Sequence, residues 1–302
     1  MAALFFRHGA RIARSIRGIK CIARRLGAGG RTCKEVAVSF LGLNRHECRR
    51  GTEEHLTMMK LYSADLSPYS ARVRMQIYAK GTTHITFEQP ADWGMPKFRE
   101  KFPIGRVPVL DIDGDLIPES EVIAEYLEEI YPEPSLLGVS PRETAHIRTL
   151  ARIGDIYIIN NMFMLSRLTG ALSPRKPAAI NDGVRNLLAG EVVGNLKALD
   201  KFIGKDGFAC CGRITLADCA LVPGLFFVEN VLPAAGFDTP IPAITNVAAY
   251  WAAIQKNEHA ARVLIELHRG LEDRRERIRN GTFEQYIAAR EAAQAAADAQ
   301  SR

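Results

Sequence analysis

The stretch Lys60-Leu61-Tyr62-Ser63-Ala64-Asp65-Leu66-Ser67-Pro68-Tyr69-Ser70-Ala71-Arg72-Val73-Arg74 decides how the rest of the chain is read. Lys60 to Ser63 predicts a short strand, and Pro68 opens a helix, because the N–H that proline lacks is not needed in a first turn. The turn between them leaves the hydroxyl of Ser67 at a helix N-terminus, beside unpaired backbone N–H groups that suit an anion. The helix extends from Ala71 to Lys80, with Val73, Ile77 and Tyr78 inward and Gly81 as its stop.

Thr83 to Glu88, rich in β-branched and aromatic residues, predicts a second strand. Residues 90–106 read as an irregular connection with a short helix around Lys97 to Lys101. Val107 to Ile112 and Leu116-Ile117 are two strands joined through the tight turn Asp113-Gly114-Asp115. Glu119-Ser120 then caps a helix over Glu121 to Ile130, whose apolar positions are Val122, Ile123, Tyr126 and Leu127. The order βαβ and then ββα predicts a small mixed sheet flanked by helices.

From about Ser140 onward the pattern is helical: Glu143 to Leu168, Ala179 to Ile203, a start at Ile214-Thr215-Leu216-Ala217-Asp218, and Val247 to Leu267. Thr215 and Asp218 have the spacing of a capping box, with Ile214 and Cys219 as its hydrophobic staple. Arg269 to Arg302 mixes charges with alanines and reads as a solvated terminal helix.

The 302 residues are 47% hydrophobic and 25% charged, an ordinary soluble composition that suits two modest domains. The net charge of +6 is uneven. Residues 1–58 hold 12 basic and 4 acidic residues, leaving residues 59–302 at −2, so the charge balance points away from nucleic acid for the globular part. Residues 1–34 carry nine basic residues and no acidic one, interspersed with apolar residues. That leader reads either as an organelle transit peptide or surface-active helix, or as an extension upstream of a start at Met58 or Met59. The six cysteines have no paired metal spacing and read as buried free thiols, with no metal expected. No apolar run reaches the ~18 residues that a membrane span needs.

Four motifs in order carry a family resemblance: Ser67-Pro68-Tyr69-Ser70, Gly105-Arg106-Val107-Pro108-Val109-Leu110, Glu119-Ser120-Glu121-Val122-Ile123, and the box at Ile214–Asp218. From Lys60 to about Leu267 the chain resembles a cytosolic glutathione S-transferase. The resemblance implies an α/β N-terminal thioredoxin-like domain followed by an all-α helical C-terminal domain. The expected divisions are a basic leader at 1–57, a glutathione-binding domain at 58–137, a helical domain at 141–267 and a charged tail at 268–302.

The same resemblance implies glutathione as co-substrate. It implies a cis peptide before Pro108, with the Val107 backbone pairing the cysteinyl part. Glu119 and Ser120 would hold the γ-glutamyl end, with Ser120 a plain N-cap as the simpler reading. Ser67 is the expected catalytic hydroxyl, stabilising the glutathione thiolate. Serine at both cysteine positions of a glutaredoxin-type motif removes mixed-disulfide chemistry there. Lys97 and Trp93 are candidates for the glycyl carboxylate. Tyr69, Tyr157, Asn160, Asn161 and Met164 are candidates for the electrophile pocket, and Tyr62 reads as core. Arg72 and Arg74 read either as guides for an acidic substrate or as a salt bridge between domains.

The motif lies near the zeta, theta, beta and nu-like classes, while Ser67-Pro68-Tyr69 departs from the zeta signature Ser-Ser-Cys, which counts against maleylacetoacetate isomerisation. The expected activity is conjugation of glutathione to a small hydrophobic electrophile by a cytoplasmic homodimer active in detoxification. Isomerisation, dehalogenation and β-ether cleavage are the enzymatic alternatives, a non-catalytic binding or regulatory module is the other, and mitochondrial targeting is the alternative location.

Overall fold

The computed structural model describes residues 58–175 and 182–300. The expectations for residues 1–57, including Cys21, Cys33 and Cys48, lie outside the described residues. Strands β1 (Met59–Tyr62), β2 (Ile85–Glu88), β3 (Val109–Ile112) and β4 (Asp115–Pro118) form one sheet in the order β2-β1-β3-β4. β1 runs parallel to β2 and antiparallel to β3, which pairs antiparallel with β4. The parallel pair is bridged by helix α1 (Pro68–Lys80), as a parallel connection requires.

Alternation along β1 builds two faces. Leu61 packs with Val73 and Ile77 of α1 and with Ile123 and Leu127 of α3 (Ser120–Ile130). Tyr62 points the other way, against Phe98 of α2 (Pro96–Lys101), Phe102 and Val107. Tyr62 is therefore core, and Lys101 Nζ lies 2.6 Å from its hydroxyl.

α1 has almost no solvent face. Val73 and Ile77 meet the sheet, while Ala71 and Met75 belong to the large apolar cluster of the helical region. Its polar residues are consequently buried and must be paired. Arg72 bonds Asp155 at 2.8 Å and also pairs with Glu121. Arg74 bonds Glu266 at 2.6 Å, and Gln76 and Lys80 both reach Glu128. The two arginines thus join the sheet domain to the helices; neither is free to guide a substrate.

The helical region comprises α4 (Pro141–Arg152), a π-helical segment Ile153–Ile159, α5 (Asn160–Thr169), α6 (Asp182–Phe202), α7 (Leu216–Asn230), α8 (Thr245–Ile254), α9 (Glu258–Arg279) and α10 (Thr282–Gln300). The single helix expected over Glu143–Leu168 is interrupted by the π-turns, which bring buried Asp155 to Arg72. The helix expected over Val247–Leu267 is two, because the chain breaks before Asn257, whose side chain caps α9. The capping box at Thr215 and Asp218 is present, and Thr215 is fully buried.

Two expectations for α3 are corrected. Val122 is 53% exposed, since the core stripe runs through Ile123, Ala124 and Leu127. The cap position falls on Glu119, with Ser120 already the first helical residue. The tail differs as well. α9 runs unbroken through 267/268, and α10 packs back so that Tyr286 donates a hydrogen bond to the Trp93 carbonyl. Among the described residues, no helix is long and apolar enough to cross a membrane and no cluster could hold a metal ion. Cys210 and Cys219 are buried, but Cys211 is exposed.

Candidate active site

A cavity of about 400 Å³ lies between the sheet domain and the helices, and Ser67 is on its wall. Local sequence explains the position. Ser67 has extended backbone and caps α1, its Oγ accepting from the Ser70 N–H at 3.2 Å, and Pro68 occupies the first turn. Ser70 is fully buried and turns back, its Oγ accepting from the Ala64 N–H at 3.4 Å. The Ser67 hydroxyl uses a lone pair as cap, while its hydrogen meets no acceptor among the described residues.

The Val107–Pro108 peptide is cis. Val107 precedes the β1–β3 ladder, which begins at the pair Tyr62–Val109, so its backbone is left to face the cavity that both residues line. Glu119 and Ser120 line the same wall. Glu119 holds φ at 72°, a conformation that costs a non-glycine residue on the order of 1–3 kcal/mol and is found where a site demands it. The N-terminus of α3 therefore opens toward the cavity, as that of α1 does at Ser67.

Across from these, Asn160, Phe163 and Met164 of α5 and Phe227 of α7 supply a mostly apolar wall. Tyr69 spans the two sides: it stacks on Phe163 with centroids 5.9 Å apart, and its hydroxyl donates to Asn160 Oδ1 at 2.8 Å. Burial, with the nearby Asp155 carboxylate adding to it, pushes the Tyr69 phenol up to about 12, so it keeps its proton at neutral pH. Burial likewise pushes Cys210 up to about 12, which leaves it a protonated core thiol.

The structure thus brings together Ser67, Tyr69, Trp93, Val107, Pro108, Glu119, Ser120 and Met164. Three expected residues lie elsewhere. Lys97 is exposed, because α2 buries the neighbouring Phe98. Tyr157 is 50% exposed on the π-helical segment, and Asn161 Nδ2 donates to the Tyr157 carbonyl. The π-turns rotate Tyr157 away from the face that carries Asn160 and Met164, while Asn161, the neighbour of Asn160 within α5, points roughly 100° around the helix from it. Cations that the sequence reading left without a role line the cavity instead: Arg106, Arg167 and Arg274. Arg106 could have been singled out from its place beside Val107-Pro108. Arg274 carries no such local signal, since it arrives only through the packing of α9.

The family model described as glutathione S-transferase, N-terminal domain matches residues 61–135, and that described as glutathione S-transferase, C-terminal domain matches 181–253. A maleylacetoacetate isomerase of Pseudomonas aeruginosa is 33% identical over 180 residues, covering 57% of this chain and 82% of that protein. A maleylpyruvate isomerase of a Ralstonia species is 32% identical over 213 residues, covering 67% of this chain and 96% of the relative. Among solved structures, a glutathione S-transferase of Methylobacterium radiotolerans in complex with glutathione sulfonate superposes with a TM-score of 0.59 at 21% identity, over 68% of this chain and 94% of that one. That likeness supports the fold.

Proposed function

The chain belongs to the glutathione S-transferase family, and we propose that it is a glutathione transferase in which Ser67 stabilises the thiolate of bound glutathione. The observation that carries this reading is the uncommitted hydroxyl hydrogen of Ser67, at the N-terminus of α1 and on the cavity wall. A hydrogen bond to sulfur, together with the helix end, favours thiolate over thiol. The Tyr69 proton is already given to Asn160, so Tyr69 serves the wall rather than the sulfur.

In this reading the Val107 backbone pairs with the cysteinyl part, and Pro108 packs beside it. The Glu119 carboxylate meets the γ-glutamyl ammonium, while Ser120 and the end of α3 meet its carboxylate. Arg106, with Trp93, takes the place expected of Lys97 at the glycyl carboxylate. The thiolate attacks an electrophilic carbon of a small hydrophobic substrate against Phe163, Met164 and Phe227. A carbon–sulfur bond forms, the leaving group departs with its electron pair, and the thiol proton has gone to solvent. The proposal includes the dimeric, cytoplasmic, detoxifying character expected of the family, and a glutathione-binding domain at 58–137 followed by a helical domain from 141 that runs on past 267 through α9.

A second reading, glutathione-dependent isomerisation, is favoured by the two isomerase relatives and by the cationic lining of Arg106, Arg167 and Arg274. Retention on glutathione-agarose, combined with turnover of 1-chloro-2,4-dinitrobenzene and of maleylpyruvate, tests both. Turnover of the aryl halide supports transfer, and turnover of maleylpyruvate alone supports isomerisation. Retention without turnover of either, across a wider electrophile panel, overturns both in favour of a binding module.

A further inference from the structure

A second cavity of about 710 Å³ adjoins the first, sharing Leu66, Trp93, Arg106, Arg167 and Arg274 with it. Its outer wall is Phe283, Tyr286 and Arg290 of α10, which lies beyond residue 253, where the family match ends. That wall is anchored in the fold. Tyr286 is bonded to the Trp93 carbonyl, and Arg175 pairs with Glu284 at 2.6 Å and with Glu291 at 2.7 Å. Arg274 and Arg277 both lie over the Phe283 ring, at 4.1 and 5.4 Å from its centroid.

Seven arginines and two aspartates line this cavity. Both aspartates are taken: Asp65 by Arg269 at 2.7 Å, and Asp273 by Arg277 at 3.9 Å. Among the described residues, Arg99, Arg106, Arg167, Arg274 and Arg290 have no carboxylate within 4.0 Å. Guanidinium groups remain charged, so five positive charges without a paired carboxylate face one space. Burial, and then the neighbouring Arg277, depresses Arg274. Planar guanidinium forks match carboxylate and phosphoryl oxygens in pairs. A single glycyl carboxylate of glutathione, met by Arg106, offsets one charge and leaves Arg99 and Arg290 unanswered.

We propose that the second cavity binds a small polyanion, bearing two or more carboxylate or phosphoryl groups, while glutathione occupies the first. The occupancy of the first cavity by glutathione rests on the transferase reading, whereas the polyanion site rests on the lining of the second cavity. Calorimetric titration of the full chain with tripolyphosphate, with and without saturating S-methylglutathione, tests it, and a parallel titration with tricarballylate separates phosphoryl from carboxylate preference. The expected result is one site per chain for at least one probe, retained with S-methylglutathione present and weakened by salt. Arg99→Gln and Arg290→Gln, both surface changes, each weaken the probe by about tenfold while S-methylglutathione affinity stays within about twofold. Full displacement by S-methylglutathione overturns the proposal, because the arginines then serve glutathione alone. Absence of binding by both probes, or binding indifferent to both variants, overturns it too. Failure of S-methylglutathione to bind would instead count against the transferase reading, and the titration without it would still decide the second cavity.

Discussion

Arg74 and Glu266 lie 192 positions apart in the chain, yet Arg74 Nε donates to Glu266 Oε2 across 2.6 Å. The same guanidinium donates to Ser63 Oγ at 2.6 Å, to the Ala64 carbonyl at 3.0 Å and to the Asp65 carbonyl at 3.1 Å. One planar fork therefore holds the turn that precedes Ser67 and ties it to α9. Arg74→Lys keeps the charge but cannot meet four acceptors in that arrangement. It is expected to cost about 1–3 kcal/mol of stability and to raise the KM for glutathione. Denaturant melts and glutathione-dependent kinetics measure both; an unchanged KM would mean the turn keeps its shape without the fork.

The same turn is approached by backbone. A Cβ on Gly270 would lie 2.6 Å from the Leu66 nitrogen and 2.9 Å from Asp65 Cβ, closer than packed atoms come. Gly270→Ala is expected to push α9 off the turn, costing about 1–3 kcal/mol and weakening glutathione binding. Gly81→Ala is the control: nothing lies near its Cβ, but φ is +66°, so it should cost roughly 1–2 kcal/mol through strain and leave glutathione affinity alone. Equal effects of the two variants on affinity would remove the special role of the Gly270 contact.

Ser67 and Tyr69 make different claims on the thiolate. Ser67→Ala should raise the pKa of the bound glutathione thiol by about one to two units, with about 0.5–2 kcal/mol of lost capping. Tyr69→Phe removes the bond to Asn160, yet the phenol is pushed up to about 12 and does not ionise in the working range. It should lower kcat/KM without moving the pH profile. Ultraviolet titration of the bound thiolate distinguishes them, and a shift in Tyr69→Phe with none in Ser67→Ala would reverse the assignment.

Asp218 sets a pH dependence of stability. Its carboxylate accepts from the N–H groups of Ala209 and Thr215 and from the hydroxyls of Thr215 and Tyr250. Burial outweighs these bonds and raises it to about 6, above its unfolded value near 3.8. The raised pKa means the folded state holds the proton more tightly, so this contribution is present below about pH 4 and is lost as pH rises through about 6, on the order of 3 kcal/mol. Asp218→Asn should abolish that slope and destabilise the protein at neutral pH, because an amide N–H₂ faces donors. Denaturation midpoints across that range, compared between the two proteins, check the sign.

Local signals were readable wherever their cause is local. Pro68 after Ser67, the Asp113-Gly114 turn and the Thr215–Asp218 box each act within one turn of chain, and each appears where its spacing puts it. Val122 faces solvent, since helical spacing finds an apolar stripe but not which edge of it faces the core. Tyr157 lies off the cavity face because the π-turns rotate it relative to α5, which no sequence pattern announces; Asn161 lies off it as the neighbour of Asn160, and helical spacing does not tell which of two adjacent residues turns inward. Arg72 and Arg74 stood in plain view, but whether they met substrate or carboxylate depended on Asp155 and Glu266, far along the chain.

The sequence by itself determined the order of strands and helices, the hydroxyl at the start of α1 and the family to which they belong, since hydrophobic period, proline position and capping chemistry are short-range. Only the tertiary structure decided which charges gather around that hydroxyl. Arg99, Arg167, Arg274 and Arg290 come from four separate helices or their edges, and they meet because Gly270 lets α9 press against the Asp65–Leu66 backbone and Tyr286 fastens α10 to Trp93. Their convergence is a property of packing between distant segments, which no stretch of residues encodes alone.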